Sequence, residues 1–346
     1  MRNNFLYAGI DVSKLKLDIA FTLNGEKIIK HRVVSNDFKG FNTIRELSEN
    51  LLKAKSLDKV HYVIESTGIY SEDIFEYLSE QVNSIVSIIN PRQSKSFAIS
   101  DNIRTKTDKV DAILLAKYCY EKRPKESKKT PKTLKKLRSL SRHLDFFIKQ
   151  RALLSGHLES VKDVFIADSI NNMISKFNEE IKKIEQEIDK IIKTDDELNR
   201  KSKLLLSIPG VGNKLSVTFL TEMMQTDEEK ISTKVQSAHA GLSPRHKQSG
   251  KHTGYSSICR AGNSRLRKAL FMPALTAIKY NPLIRNFYLR LLDAGKRKMV
   301  AITACMRKLL CLMVGVLNSH QKFDPDWVEK RKFSQEGELA RPCVSG

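Results

Sequence analysis

Cysteine is scarce in this sequence, and none of it is paired. The five cysteines among 346 residues, at 119, 259, 305, 311 and 343, include no CxxC pair. That spacing supports neither a disulfide framework nor a zinc site, and it fits a reducing cytoplasm. Long uncharged apolar runs are lacking as well. The longest apolar stretch, MVAITACMRKLLCLMVGVL from Met299, has Arg307 and Lys308 at its middle and reads as a buried helix rather than a membrane span, so no membrane partner is expected. At the amino terminus, the short apolar run of MRNNFLYAGIDVSK ends at Asp11, which is not the pattern of a signal peptide. Acid is the most conspicuous shortage: 39 Asp and Glu stand against 61 Lys and Arg, a formal charge of +22. From Lys230 to Leu292, 63 residues contain twelve Lys and Arg and no acid. Such an excess points to the phosphates of a nucleic acid, with an anionic membrane surface the weaker alternative.

Organisation follows from the spacing of apolar residues. Residues 5–12 and 16–23 are β-rich runs, and the turn signal Asn24-Gly25 separates them from a third run at 26–35. FKGFNTIRELSENLLKAKS then places Phe41, Ile44, Leu47, Leu51 and Leu52 at helical spacing. A fourth strand is predicted over KVHYVIES (59–66), and SEDIFEYLSEQ reads as a helix opened by an imperfect capping box at Ser71. SIVSIIN (84–90) is a fifth strand stopped by Pro91, with helices following through 121. The order β-β-β-α-β-α-β-α makes residues 1–124 an α/β domain, followed by an all-α remainder. KRPKESKKTPKTLKKLR (122–138) carries nine Lys and Arg, one Glu and two Pro, so a domain boundary is expected near 125. Over 125–200 a basic linker leads into a helical arm, where Phe177, Ile181, Ile184, Ile188 and Ile191 form an a/d stripe of about two heptads. A short coiled coil and a plain packed hairpin suit that stripe equally. A helical domain is expected over 201–325 and a polar tail over 326–346.

Four acids stand out in the first domain. Asp11 lies late in the first strand, in YAGIDVSKLKLDIA, where Ile10 and Val12 face the other side. A carboxylate inside an apolar strand is costly to bury without a partner. Glu65 ends the fourth strand in HYVIESTGIY, and strand ends at switch points are where open sheets with crossover helices build their sites. Asp108 and Asp111, in KTDKVDAILLAKYC, stand at i and i+3 and share one helix face. Each has an ordinary role open to it, solvation at a strand end or complement to a helix dipole. Together they can converge on one hard cation, and carboxylate oxygens are the ligands that Mg²⁺ or Mn²⁺ takes.

The carboxyl-terminal half carries basic motifs. In IPGVG, Gly210 and Gly212 allow a tight turn whose free N–H groups can accept a phosphate, in the manner of a helix-hairpin-helix; a plain interhelical turn is the equal alternative. AGLSPRHKQSGKHTGYS (240–256) is a polar, loop-forming stretch in which Arg245, Lys247 and Lys251 surround several hydroxyls. Cations around a hydroxyl stabilise both a developing alkoxide and a phosphate under attack. Ser243, Ser249, Ser256 and Ser257 all compete for that role, and composition does not choose among them. RAGNSRLRKAL then sets Arg260, Arg265, Arg267 and Lys268 around a helix start at Asn263, suited to clamping a DNA backbone.

In this order GIDVSK, ESTGIY, KTDKVDA, IPGVG, AGLSPRHKQSGK and RAGNSRLRKAL resemble the DEDD transposases of bacterial insertion-sequence family 110 and its subgroup 1111, relatives of the Piv DNA invertase, over roughly residues 5–320. The resemblance implies an RNase H-like, RuvC-type first domain in which Asp11, Glu65, Asp108 and Asp111 hold the metal and act catalytically. It implies a nucleophilic serine at the "SG" position, Ser249, that forms a covalent phosphoserine link to DNA and conserves bond energy for rejoining. Element ends and target DNA, a structured noncoding bridge RNA, a dimer or tetramer with a shared site, and a bacterial cytoplasm at the nucleoid are implied as well. Two rivals remain open: a metal-dependent nuclease or resolvase that hydrolyses DNA without Ser249, and a non-catalytic nucleic-acid-binding scaffold whose acids only cap and solvate.

Overall fold

The structure is a computed structural model that describes residues 4–66, 68–101, 107–223, 232–245, 248–249, 252–253, 257–259 and 261–326. Two compact units divide between Lys129 and Thr130.

The first unit is a mixed sheet of β1 (Phe5–Val12), β2 (Lys16–Thr22), β3 (Ile28–Ser35), β4 (Lys59–Glu65) and β5 (Ser84–Ile89), in spatial order β3-β2-β1-β4-β5. Strands β1, β2 and β3 run antiparallel, while β4 is parallel to β1 and β5 to β4. The helices are α1 (Phe38–Lys55), α2 (Glu72–Leu78), α3 (Pro91–Ser100) and α4 (Asp108–Lys122). Period-two alternation sorts β1 between two cores. Leu6, Ala8, Ile10 and Val12 pack with Phe41, Ile44, Ile74 and Phe75 of α1 and α2. On the opposite face, Tyr7 packs with Val63 and with Phe97, Leu114, Leu115 and Tyr118 of α3 and α4. The capping box expected at Ser71 is not formed: that hydroxyl donates to the Gly68 carbonyl at 3.1 Å instead. One forms at α3, where the Asn90 side chain accepts from Arg92 N at 3.0 Å while Gln93 Oε1 accepts from Asn90 N at 3.0 Å.

The second unit is mostly helical. Helices α5 (Lys132–Leu158) and α6 (Val164–Thr194) form a hairpin, followed by α7 (Asp196–Leu206), α8 (Asn213–Met223) and α9 (Thr233–His239). Two-residue strands β6 (Pro244–Arg245), β7 (Gln248–Ser249), β8 (His252–Thr253) and β9 (Ser257–Ile258) precede α10 (Ser264–Tyr280), α11 (Pro282–Asp293) and α12 (Lys298–Ser319). Three isoleucines of the predicted stripe in α6, Ile181, Ile184 and Ile188, are buried with Leu134, Leu137 and Leu144 of α5 and Val217 of α8; the fourth buried isoleucine there is Ile192, while Ile191 is only partly buried. Those contacts tie the arm to the helices that follow it. Helix α12 is long and apolar enough to cross a membrane, yet Leu309, Leu310 and Met313 are fully buried against α10 within this unit's main core.

Helix α4 packs tightly on the sheet at Gly9. A methyl group there would stand 2.2 Å from Ala116 N and 2.3 Å from Ala112 O, so α4 rests on the bare backbone of β1. Ala20 of β2, Ala112 and Ala116 complete this small-residue contact. Gly9→Ala is expected to cost about 2–3 kcal/mol through overpacking against backbone that cannot yield, read as a lowered midpoint in urea unfolding.

Candidate active site

Side-chain parity aims three strand acids at the α4 face of the sheet, and α4 itself brings two more. Asp11 lies two residues beyond Gly9 on β1, hence on the same face. Asp18 is its cross-strand partner on β2, and Glu65, at the end of β4, follows the register step that pairs Gly9 with Val63 and Ile10 with Ile64. Helix α4 brings Asp108 and Asp111 in its first turn, where Thr107 Oγ1 caps the helix by accepting from Val110 N at 3.2 Å. The dipole role of this pair and its membership of the acidic cluster hold together.

Electrostatics show the convergence. Burial pushes the Asp11 carboxyl up, and the negative charges of Asp111, Asp108, Glu65 and Asp18 add to it, so that it titrates at about 6. All four acids singled out from the sequence are therefore neighbours in the field at Asp11, although three separate stretches of chain supply them. Among the described residues no three His, Cys, Asp or Glu side chains are gathered tightly enough to hold a metal ion. The donor set nonetheless fits a hard divalent cation: it is all carboxylate oxygen, and it carries an excess of negative charge. Glu65 is held by Ser94 of α3, whose buried hydroxyl donates to Glu65 Oε2.

Asp18 is the acid that sequence reasoning missed. It is 4% exposed, with His31 Nε2 at 3.2 Å from Oδ1 and Lys16 Nζ at 3.6 Å from Oδ2. The signal was present in DVSKLKLD: a four-residue turn closed by Ser13 N to Lys16 O at 3.0 Å sets Asp11 opposite Asp18.

In the second unit the stretch read as a loop carries two short antiparallel pairs, β6 with β9 and β7 with β8, and Ser249 is paired across the second with His252. The Ser249 and Arg245 side chains lie outside the described residues, as do Lys247, Lys251 and Arg260 altogether. In the IPGVG turn, Gly210 has φ +102°, and a methyl group on it would meet Ala277 of α10 at 2.7 Å, so this glycine serves helix packing. Gly212 has open space where a side chain would stand. Arg265, expected on a DNA backbone, is instead taken up inside the fold. It donates to Asp145 Oδ2 at 2.7 Å, Glu222 Oε1 at 2.9 Å and Ser141 Oγ at 2.7 Å. Arg267 donates to the Ala240 carbonyl at 3.0 Å, while Lys268 is exposed. Arg142, Lys214, Ser264, Arg265, Lys268 and Met272 line an open groove of about 630 Å³.

The chain matches a transposase model of the DEDD, IS110 type over residues 8–166, and the model for "Transposase IS116/IS110/IS902 family" over residues 202–289. It is 31% identical over 324 residues to the pilin gene-inverting protein of Moraxella bovis, spanning 92% of this chain and 97% of that one. This chain belongs to the IS116/IS110/IS902 transposase family. The pilin gene-inverting protein of Moraxella lacunata is equally similar, at 31% over the same spans. An insertion element IS116 protein of 44.8 kDa from Streptomyces clavuligerus is 27% identical over 51% of this chain and 42% of its own length. The first matched segment of the transposase family contains all four singled-out acids and Asp18, and the second contains Ser249 and the IPGVG turn.

Two pH responses follow. Because the folded-state pKa of Asp11 is raised, its ionisation destabilises the fold as pH rises from its ordinary value near 3.8 toward 6. Asp11→Asn is therefore expected to raise the thermal midpoint in metal-free buffer at pH 8 and to lose that advantage below about pH 4, followed by differential scanning calorimetry. Glu222 behaves oppositely. Burial pushes its carboxyl up, but hydrogen bonds from Arg142, Asn263 and Arg265 outweigh that and leave it at about 2. Its contribution is present above about pH 4.5 and is lost as pH falls toward 2. Glu222→Gln, which removes the charge that Arg142 and Arg265 share while Asp145 still pairs with Arg265, is expected to cost about 1–3 kcal/mol at neutral pH by urea titration.

Proposed function

We propose that this transposase-family protein cuts and rejoins DNA through a serine nucleophile, Ser249, assisted by a divalent cation on Asp11, Glu65, Asp108 and Asp111. One observation carries the reading: acids from two strands and a helix converge on Asp11, whose carboxyl is pushed up to about 6 by burial and then by their negative charge. Structural acids at strand ends and helix starts have no need to meet. The strand order β3-β2-β1-β4-β5 with its parallel β1-β4-β5 half supports an RNase H-like, RuvC-type assignment for the first unit. Rearrangement of DNA is supported by relatives whose name records inversion of a pilin gene.

In the proposed reaction the Ser249 oxygen bonds to a DNA phosphorus while the bond from that phosphorus to a deoxyribose oxygen breaks. The serine proton leaves, and the released sugar oxygen gains one. Attack on the phosphoserine by a sugar hydroxyl from another strand restores serine and seals the new junction, so one phosphoester replaces another throughout. Mg²⁺ or Mn²⁺, when bound, supplies Lewis-acid polarisation of the phosphate oxygens. The protein's own residues position and attract: Ser94 fixes Glu65, while Lys247, Lys251, Arg260, Lys268 and Gly212 offer phosphate contacts. A structured noncoding bridge RNA as guide, membership of subgroup 1111, a bacterial cytoplasmic setting and a dimeric or tetrameric assembly that brings serine and acids to one phosphate complete the reading. The charge of +22 is this chain's own support for a large nucleic-acid partner.

Ser249→Ala is expected to abolish both strand exchange and the covalent protein–DNA adduct, a loss of at least about a thousandfold. Labelled element-end DNA run on a denaturing gel reads both. Cutting that survives Ser249→Ala but not Asp11→Asn would instead identify a hydrolytic nuclease.

A further inference from the structure

The acidic cluster already contains a cation, and it belongs to the chain. Lys16 opens β2, one turn of backbone away from Asp11, and its ammonium lies 2.7 Å from Asp108 Oδ2 and 3.6 Å from Asp18 Oδ2. Asp18 is nearly inaccessible, its side chain 5% exposed, whereas Lys16 and Asp108 are each about half exposed, at 49% and 51%. An isolated surface pair of that kind contributes little, because water and salt screen it. This one is different in its surroundings. Asp11, Asp18, Glu65, Asp108 and Asp111 share one face of the sheet or the helix start above it, and His31 meets Asp18 from β3. An ammonium placed between the inner acid of β2 and the outer acid of α4 offsets repulsion that would otherwise push α4 away from the sheet. The lysine stem supplies the freedom to leave: its length lets the charge swing into solvent while the backbone stays paired to Ser35 of β3.

We propose that Lys16 is a built-in counter-cation of the acidic site, holding Asp108 toward Asp18 in the metal-free protein and displaced when a divalent cation binds. The inference rests on the reading that these acids take a metal. Lysine and metal then compete for the same carboxylate, Asp108, so the lysine sets the concentration of metal at which the site fills. Filling the site frees an ammonium beside the cluster at the moment that a phosphate is to be received.

Mn²⁺ binding to the full-length protein, followed by the electron paramagnetic resonance signal of free Mn²⁺, tests this on the parent, Lys16→Gln and Lys16→Arg. Removing one charge a few ångströms from the metal is expected to tighten Mn²⁺ binding by about threefold to tenfold in Lys16→Gln, with Lys16→Arg close to the parent. The Mn²⁺-dependent rise in thermal midpoint should be larger in Lys16→Gln as well, since that variant starts from a more repulsive metal-free state. Equal or weaker Mn²⁺ binding by a folded Lys16→Gln, with the parent binding normally, overturns the role of the lysine and leaves the metal reading intact. Absence of Mn²⁺ binding in all three proteins overturns both.

Discussion

Helix α4 lies directly on the backbone of β1 at Gly9, and everything else about the acidic face depends on that contact. A methyl group at Gly9 has no room, and the facing residues, Ala20, Ala112 and Ala116, are as small as a side chain can be. Such close approach fixes the height and the phase of α4 over the sheet. The first turn of the helix, with Asp108 and Asp111, is thereby brought over the end of β1 that carries Asp11. Tyr7, Leu114, Leu115 and Tyr118 secure the far side of the same interface, so packing on one stretch holds repelling charges together on the next.

The two units resolve charge in opposite ways. In the first, acids face acids, and the Asp11 carboxyl is held at about 6, a condition that the fold tolerates because other contacts enforce it. In the second, Glu222 is buried among Arg142, Asn263 and Arg265 and held at about 2, a fully compensated network that locks α5, α8 and α10 together. Compensation of the second kind belongs to architecture, and strain of the first kind is what a site for a cation and a phosphate requires.

Much of this was legible in the amino-acid order. Strand alternation placed β1 to β5 within a residue or two, and helical spacing found Ile181, Ile184 and Ile188 of α6, which bury against α5. Asp11, Glu65, Asp108 and Asp111 were found because an acid ending an apolar strand, and two acids one helical turn apart, are local patterns. Asp18 escaped since KLKLDIA looks like an ordinary amphipathic strand until the hairpin register sets it opposite Asp11. Arg265 was read as a phosphate clamp for a related reason. Its partners Asp145 and Glu222 lie 120 and 43 residues away, and no local pattern announces that a guanidinium will be satisfied from such a distance.

The sequence by itself determined the element types, the basic character of the chain, the acid-free stretch from 230 to 292 and the candidate acids, because periodicity, composition and short spacing are properties of neighbours along the chain. Tertiary structure alone decided which of those charges meet. It set Lys16 between Asp18 and Asp108, turned Arg265 inward, and made Gly210 a packing contact with Ala277. The physical reason is that Coulomb energy and steric contact depend on distance in space, and that distance is fixed by how strands register and how closely a helix can approach a sheet.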